Sequence, residues 1–495
     1  MAEPAGKRAV RAAFGYSFAH RYGEAALRIA LLVVLARHVD PVGFGAFAIA
    51  YGLVSLLAGA CRDGVSSWIV RAGGEPEPGL GTPFAVVALG AGLCAGCLFA
   101  LAGPLARLAE AEEAATPLRV LSLAFLALPF EAVFSGVLRR RLAFRRVAVI
   151  GVVAVAVGGL LSVALAVAGW GATGLAVGAV AEAAAIAAGS AFAARDAWRS
   201  ARVPGGTFGE VGAFCLRIGA GSVLAGLGKL TATLAIARFL GPSATGLYDR
   251  ARRVTWGFGD LVLNAVTPVV LPALAEARRG GGDFAGPYLV KLQALSLAAW
   301  PFFAALAVLA EPVVLLLLGP DWMAAVPLVR AACLFGVALP YHVTDAPFLI
   351  ASGREREYVR IQLITQVVTV ALVVVAAQVD VAAVFVAYAL AKAVKAALTT
   401  AVLARAFGLR VAELVGATAR SALVAAGVGV AAFGVEAALP SPTGWPGALA
   451  VVATGGVVCA ASLVGLAVAV AHPVRAEAGA ALRHGAERLG VVPAR

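Results

Sequence analysis

Charge is what this sequence has least of. Only 14% of its 495 residues are Asp, Glu, Lys or Arg, against 61% hydrophobic, and the mean hydropathy is +0.93. A soluble domain carries roughly a quarter charged residues, and a water-solvated fold of this composition would leave large apolar patches uncovered. A soluble globule is therefore excluded, and the bilayer is left as the solvent. The six cysteines are scattered. Cys94 and Cys97 have CxxC spacing but sit inside the apolar run Thr82–Leu101, without the polar setting that redox or zinc chemistry needs. Close helix packing by small residues accounts for them. His20, His38, His342, His472 and His484 form no HExxH or other ligand cluster, and there is no P-loop. Gly90–Ala95 mimics a dinucleotide fingerprint, yet it lies in the middle of an apolar run with no strand before it. No metal, no cofactor and no enzymatic chemistry are expected. The net charge of +13 comes from cations dispersed along loop ends without interleaved aromatics, so no nucleic-acid partner is expected either.

What the sequence does have is long apolar runs. A span needs about 20 mostly apolar residues, and the runs are continuous rather than alternating as barrel strands do. The expectation is an all-α polytopic membrane protein of about fourteen transmembrane helices. The first half holds spans 14–36, 43–70, 82–102, 117–138, 147–168 and 171–194. The second holds 211–237, 244–271, 288–310, 324–351, 359–377 and 381–404, and spans 414–437 and 446–471 come after it. Cations collect after even-numbered spans, as in Arg139-Arg140-Arg141 and Arg195, Arg199 and Arg202. The positive-inside rule then puts both termini in the cytoplasm.

The turn after span one returns about two hundred residues later. Ala36-Arg37-His38-Val39-Asp40-Pro41-Val42-Gly43-Phe44-Gly45 is answered by Ala237-Arg238-Phe239-Leu240-Gly241-Pro242-Ser243-Ala244-Thr245-Gly246. Leu128-Pro129-Phe130 in span four is answered by Leu339-Pro340-Tyr341 in span ten. Two six-helix lobes, 1–204 and 205–412, are thus expected as a parallel repeat about an axis along the membrane normal. A helix pair (413–471) and a cytoplasmic tail (472–495) lie outside the repeat.

Ionisable groups inside spans face a bundle interior or a wet cavity. Arg21, Glu24 and Arg28 share one face of span one, and the repeat register sets Arg28 against Lys229. Two half-related cations suit a multivalent anion such as a pyrophosphate. Two readings stay open for Arg28: cavity lining, or an i,i+4 ion pair with Glu24. Span eight carries the stripe Asp249, Arg253, Trp256, Asp260 and Asn264, where Asp249 and Arg253 can also pair locally. Span two carries Arg62-Asp63; adjacent residues point apart, so at least one needs a partner on another helix. Glu131, Glu182, His342 and Asp345 lie in other spans, and Lys392 and Lys395 can snorkel to the surface. Glu24, Asp63, Glu131 and Asp345 are the candidate coupling carboxylates.

Two six-helix halves, a terminal pair and the Ala-Arg-x-x-x-Pro-x-x-x-Gly turn after spans one and seven resemble a known family. It is that of the lipid-linked polysaccharide flippases of bacterial O-antigen, capsule and exopolysaccharide pathways. They belong to the multidrug/oligosaccharidyl-lipid/polysaccharide exporter superfamily. The Leu240-Gly241-Pro242 turn and Val269–Leu274 are similar to that family's second-half pattern, and the likeness covers most of residues 14–404. The resemblance implies two lobes around a cationic, water-filled cavity. It implies alternating access that carries an undecaprenyl-pyrophosphate-linked oligosaccharide to the periplasmic leaflet of the inner membrane. Arg21, Arg28, Arg62, Lys229 and Arg253 would be the head-group cations. A coupling ion (H+ or Na+), the bilayer, and the polymerase and glycosyltransferases of the pathway would be partners. The first turn departs from the pattern, reading His-Val-Asp-Pro, so His38 and Asp40 receive no role. An antiporter of cationic drugs from the same superfamily would prefer an acidic cavity. A membrane-embedded polysaccharide polymerase or glycosyltransferase would need a large exterior loop or a clustered acid and base, and neither is present.

Overall fold

The fold comes from a computed structural model, which describes residues 23–71, 79–279, 284–343, 345, 348–349, 352, 354–440 and 444–470. Side chains are described for all of these except 225, 229, 258–279 and 355. Arg21 and the tail 472–495 therefore lie outside the described residues, and Lys229 contributes only its backbone.

Apolar runs in lipid must close their own hydrogen bonds, and every regular element among the described residues is helical. In chain order they begin with α1 (23–35), α2 (Pro41–Arg71), α3 (Gly81–Leu108), α4 (Ala115–Ser122) and α5 (Ala124–Arg140). Next are α6 (Phe144–Val167), α7 (Gly171–Ala193) and the long α8 (Phe208–Arg279). Then come α9 (Ala285–Val308), α10 (Ala310–Leu317), α11 (Val326–Cys333) and α12 (Phe335–His342). The last are α13 (Glu355–Ala376), α14 (Val381–Phe407), α15 (Val411–Ala438) and α16 (Trp445–Ala469). Among the described residues eleven helices are long and apolar enough to cross a membrane, or twelve if α4 and α5, bent by 44°, count as one span. The expected spans 14–36 and 244–271 run over residues or side chains outside that set, so the count of fourteen rests on them.

The repeat is visible in the helix breaks. α4 gives way to α5 at Leu123, with Pro129 inside the second piece, and α11 gives way to α12 at Leu334, with Pro340 inside. The same interval separates the two breaks and the two prolines. Spans seven and eight are one helical run, interrupted where Gly241 takes φ 87° and ψ 174°, a conformation that favours glycine.

Contacts divide the chain into two compact units, 1–249 with 377–381, and 250–376 with 382–495. In the first, α5 is the central post. Phe125, Leu128, Ala132, Val133 and Phe134 are buried in the main core, and Ser135 meets Ser190 of α7 at 3.0 Å. α2 runs against the portion of α8 before Asp249 through small residues. A Cβ on Gly64 would fall 2.8 Å from the Cys215 Cα, and one on Gly219 would fall 2.9 Å from the Ala60 carbonyl oxygen. At the repeated turns the contact is reciprocal. A Cβ on Gly45 would collide with the Pro242 carbonyl, and one on Gly246 with the Pro41 carbonyl. The two copies of the motif thus meet face to face, each glycine admitting the other's backbone. Nearby, Arg238 of the second turn pairs with Glu110 just after α3.

In the second unit α15 lies along α9, where Ser296 donates to Ser421 at 2.8 Å. α16 packs on α15 and α10, with Leu309, Ala432 and Val451 as a small core.

The reciprocal contact predicts that Gly45→Ala and Gly246→Ala each destabilise the folded protein by about 1–3 kcal/mol through overpacking. Gly92→Ala, which meets nothing within 4 Å, should not. Thermal unfolding of the detergent-solubilised variants measures this, and equal midpoints for all three would remove the contact.

Candidate functional site

Two charged clusters lie among the helices of the first unit. In the first, Glu24 and Arg28 stand one turn apart on α1. The Arg28 Nε donates to Glu24 Oε1 at 3.0 Å, and Nη2 donates to Glu182 Oε1 of α7 at 2.8 Å. α7 can bring Glu182 there because α6 opposite it carries Gly158. A Cβ at Gly158 would lie 2.6 Å from that of Glu182. Of the two readings left open by the sequence, the ion pair with Glu24 is present, and half of the Arg28 side chain (50%) stays exposed.

The second cluster joins three helices. Arg62 Nη1 on α2 donates to Glu131 Oε1 on α5 at 3.0 Å. Its Nε lies 3.9 Å from Asp63 Oδ1, an ion pair beyond hydrogen-bond range. The other oxygen of Asp63 accepts a hydrogen bond from Ser222 Oγ of α8 at 2.8 Å. Arg62 finds its hydrogen-bond partner on α5, and Asp63 finds its own on α8. The side chains of Arg62 and Asp63 are 39% and 47% exposed, and that of Glu131 is 11% exposed.

Each cluster contains one guanidinium and two carboxylates. Paired, hydrogen-bonded groups of this kind are what makes charge tolerable at membrane depth, and the remaining exposure leaves the guanidiniums within reach of a ligand. Among the other expected cations, Arg253 is exposed on α8, with its neighbour Arg252 over the Trp256 ring at 5.4 Å. The Lys229 side chain and Arg21 lie outside the described residues, so the pairing of Arg28 with Lys229 rests on the repeat register alone.

Asp345, in the second unit, is in a different setting. Lys291 of α9 is fully buried, with its Nζ 3.3 Å from Asp345 Oδ1, and the Asp345 side chain is 2% exposed. The ammonium lies 4.9 Å from the Tyr288 ring centroid and 5.7 Å from that of Phe348. Lys395 also acts on Asp345 electrostatically. Asp345 Oδ2 and Thr399 Oγ1 of α14 are buried without a hydrogen-bond partner among the described residues. No large ligand reaches this pair. His342 is a core histidine whose Nδ1 donates to the Ala338 carbonyl at 2.8 Å, and Lys392 rests on the Tyr388 ring at 4.7 Å. All six cysteines are free, and among the described residues no cluster of three His, Cys, Asp or Glu could hold a metal.

Residues 34–327 match the family model described as polysaccharide biosynthesis protein. The chain belongs to that family. It is 29% identical over 346 residues to the succinoglycan biosynthesis transport protein ExoT of Rhizobium meliloti (strain 1021), covering 69% of each chain. The lipid II flippase MurJ, in an inward closed conformation, has the same fold at a TM-score of 0.70, with 12% identity over 90% of this chain and 97% of that one. An inward-facing multidrug resistance MATE transporter of the MOP superfamily is similar at 0.61, with 17% identity over 78% and 94%. Those identities speak for the fold alone. With the family established, this polysaccharide biosynthesis protein is a multi-pass membrane protein of helical architecture.

Sequence reasoning missed Lys291, which near a span end reads as a snorkelling cation, and Ser222, one hydroxyl among many small residues. Glu182 was visible, but its partner lies 154 residues away. The buried pair carries its own prediction. Lys291→Met should destabilise the protein by about 3–5 kcal/mol, because it strands a buried carboxylate. Combining it with Asp345→Leu should restore most of the loss. A double variant no more stable than the single one, by thermal unfolding in detergent, would contradict the pairing.

Proposed function

We propose that this chain is an inner-membrane flippase. It moves an undecaprenyl-pyrophosphate-linked oligosaccharide from the cytoplasmic to the periplasmic leaflet by alternating access, with both termini in the cytoplasm. The observation that carries the reading is the pair of partly exposed arginines, Arg28 and Arg62, held at membrane depth by α1 and α2. Guanidinium groups are the side chains best matched to phosphate geometry, and intramembrane charge of this kind marks a substrate path. Family membership and the name of the ExoT relative, a transport protein of succinoglycan biosynthesis, support the same reading. Arg21, Lys229 and Arg253 complete the proposed head-group set. Glu24, Asp63, Glu131 and Asp345 are the proposed coupling carboxylates for H+ or Na+, and the polymerase and glycosyltransferases of the pathway are the proposed partners.

The carboxylate excess in the two clusters favours a second reading, a cationic-drug antiporter. Guanidiniums paired with those carboxylates would repel such a drug, and this weighs for the anion.

A charge-assisted hydrogen bond is worth about 1.5–3 kcal/mol. Arg28→Gln and Arg62→Gln should therefore each lower transport at least about tenfold while leaving the protein in the membrane at normal abundance. Complementation of surface polysaccharide in a strain lacking its own exporter measures this. Full complementation by both variants would end the head-group assignment.

A further inference from the structure

Arg28 and Arg62 are not bare cations waiting in a cavity. Among the described residues, each cluster sets two carboxylates around one guanidinium. Arg28 is held by Glu24 and Glu182 at 2.9 and 2.8 Å, and Arg62 by Glu131 and Asp63 at 3.0 and 3.9 Å. A ligand anion can reach either guanidinium only by taking over from carboxylates already there. In a low-dielectric site the guanidinium cannot be left without a counter-charge during the exchange. The incoming group must therefore supply at least what it displaces.

That requirement separates two kinds of lipid. A phosphodiester head group brings one negative charge, less than the two carboxylates around either arginine. A diphosphate diester brings two on adjacent phosphates, which match the exchange and can hydrogen-bond a planar guanidinium at two points. A bare arginine would take up the anionic phospholipids that surround every span, whereas a guarded one rejects them. We propose that Glu24, Glu182, Glu131 and Asp63 are internal competitors that make the two arginines selective for diphosphate-linked lipids over singly charged phospholipids. The inference rests on the flippase reading and extends it to the way substrate is told from bulk lipid. It gives Glu182 a role as a specificity-determining residue, and Glu24, Glu131 and Asp63 a second role beside the proposed ion coupling.

The exposures fit this role. The side chains of Glu24 and Glu182 are 27% and 25% exposed and that of Asp63 is 47% exposed, so packing does not lock these carboxylates in place. Lys291 and Asp345, at 0% and 2%, allow no such exchange. Tyr51 acts on Arg62 from α2, while α6, packed against Glu182, carries no titratable residue between Val147 and Val167. Removing the charge of one carboxylate should therefore weaken the guard.

The test uses the full-length protein in nanodiscs. Binding of a prenyl-diphosphate-linked sugar is measured in competition with phosphatidylglycerol, for the wild type, Glu182→Gln and Glu131→Gln. The wild type should hold the diphosphate lipid against a large excess of phosphatidylglycerol. Each variant should lose selectivity by about tenfold, mostly through tighter phosphatidylglycerol binding. Glu182→Asp and Glu131→Asp, which keep the negative charge, should stay near the wild-type ratio, which separates the competitor role from a loss of fold. An unchanged ratio in the Gln variants, with the diphosphate lipid still bound, would overturn the competitor role and leave the flippase reading intact. Failure of the wild type to prefer the diphosphate lipid over a neutral lipid would overturn the flippase reading itself.

Discussion

An ionised side chain at membrane depth must keep its counter-charge, and three cations in this protein meet that constraint in two different ways. Lys291 is fully enclosed, with Asp345 on one side and aromatic faces on the others. Such a pair fixes how α9 meets its neighbours and is closed to anything large. Arg28 and Arg62 obey the same rule with more partners and more exposure. Their carboxylates satisfy them without sealing them in. The difference between a structural ion pair and a site that can exchange ligands lies in that exposure, since the chemistry of the groups is the same.

The backbone makes the clusters possible by coming unusually close. Gly158 lets α6 approach α7 at Glu182, and the run of small residues on α2 and α8 brings Ser222 to Asp63. Without a hydrophobic force between helices in lipid, close van der Waals packing is what holds them together. The two repeated turns obey the same principle, with Gly45 and Gly246 each admitting the other's carbonyl. Duplication makes this contact self-complementary, as in a twofold interface built from one chain.

The architecture was legible in the sequence because bilayer solvent leaves a coarse, redundant signal. Apolar runs of span length, cations on alternate loops and the doubled Pro/Gly turn each point the same way. The breaks at Leu123 and Leu334 were foreshadowed by Pro129 and Pro340. The site was legible only in part. Arg28, Arg62, Glu24, Asp63 and Glu131 stand out as rare charges in apolar runs, and the Glu24–Arg28 pair is implied by helical spacing. Pairings between distant helices leave no mark of this kind. Glu182 with Arg28 and Glu131 with Arg62 are set by how spans pack, and Ser222 is indistinguishable in sequence from the residues that merely line contacts. The sequence therefore reads as a collection of intramembrane cations, whereas the fold shows cations already occupied.

The role of the guarded arginines stands or falls on whether this polysaccharide biosynthesis protein carries a diphosphate-linked anion across the membrane. The most direct measurement is a leaflet-specific assay in proteoliposomes holding the purified protein, run in parallel with a lipid-diphosphate oligosaccharide and with a cationic dye. Movement of the oligosaccharide lipid between leaflets, with no transport of the dye, is the predicted result. Dye transport with the oligosaccharide lipid left in place would contradict that role.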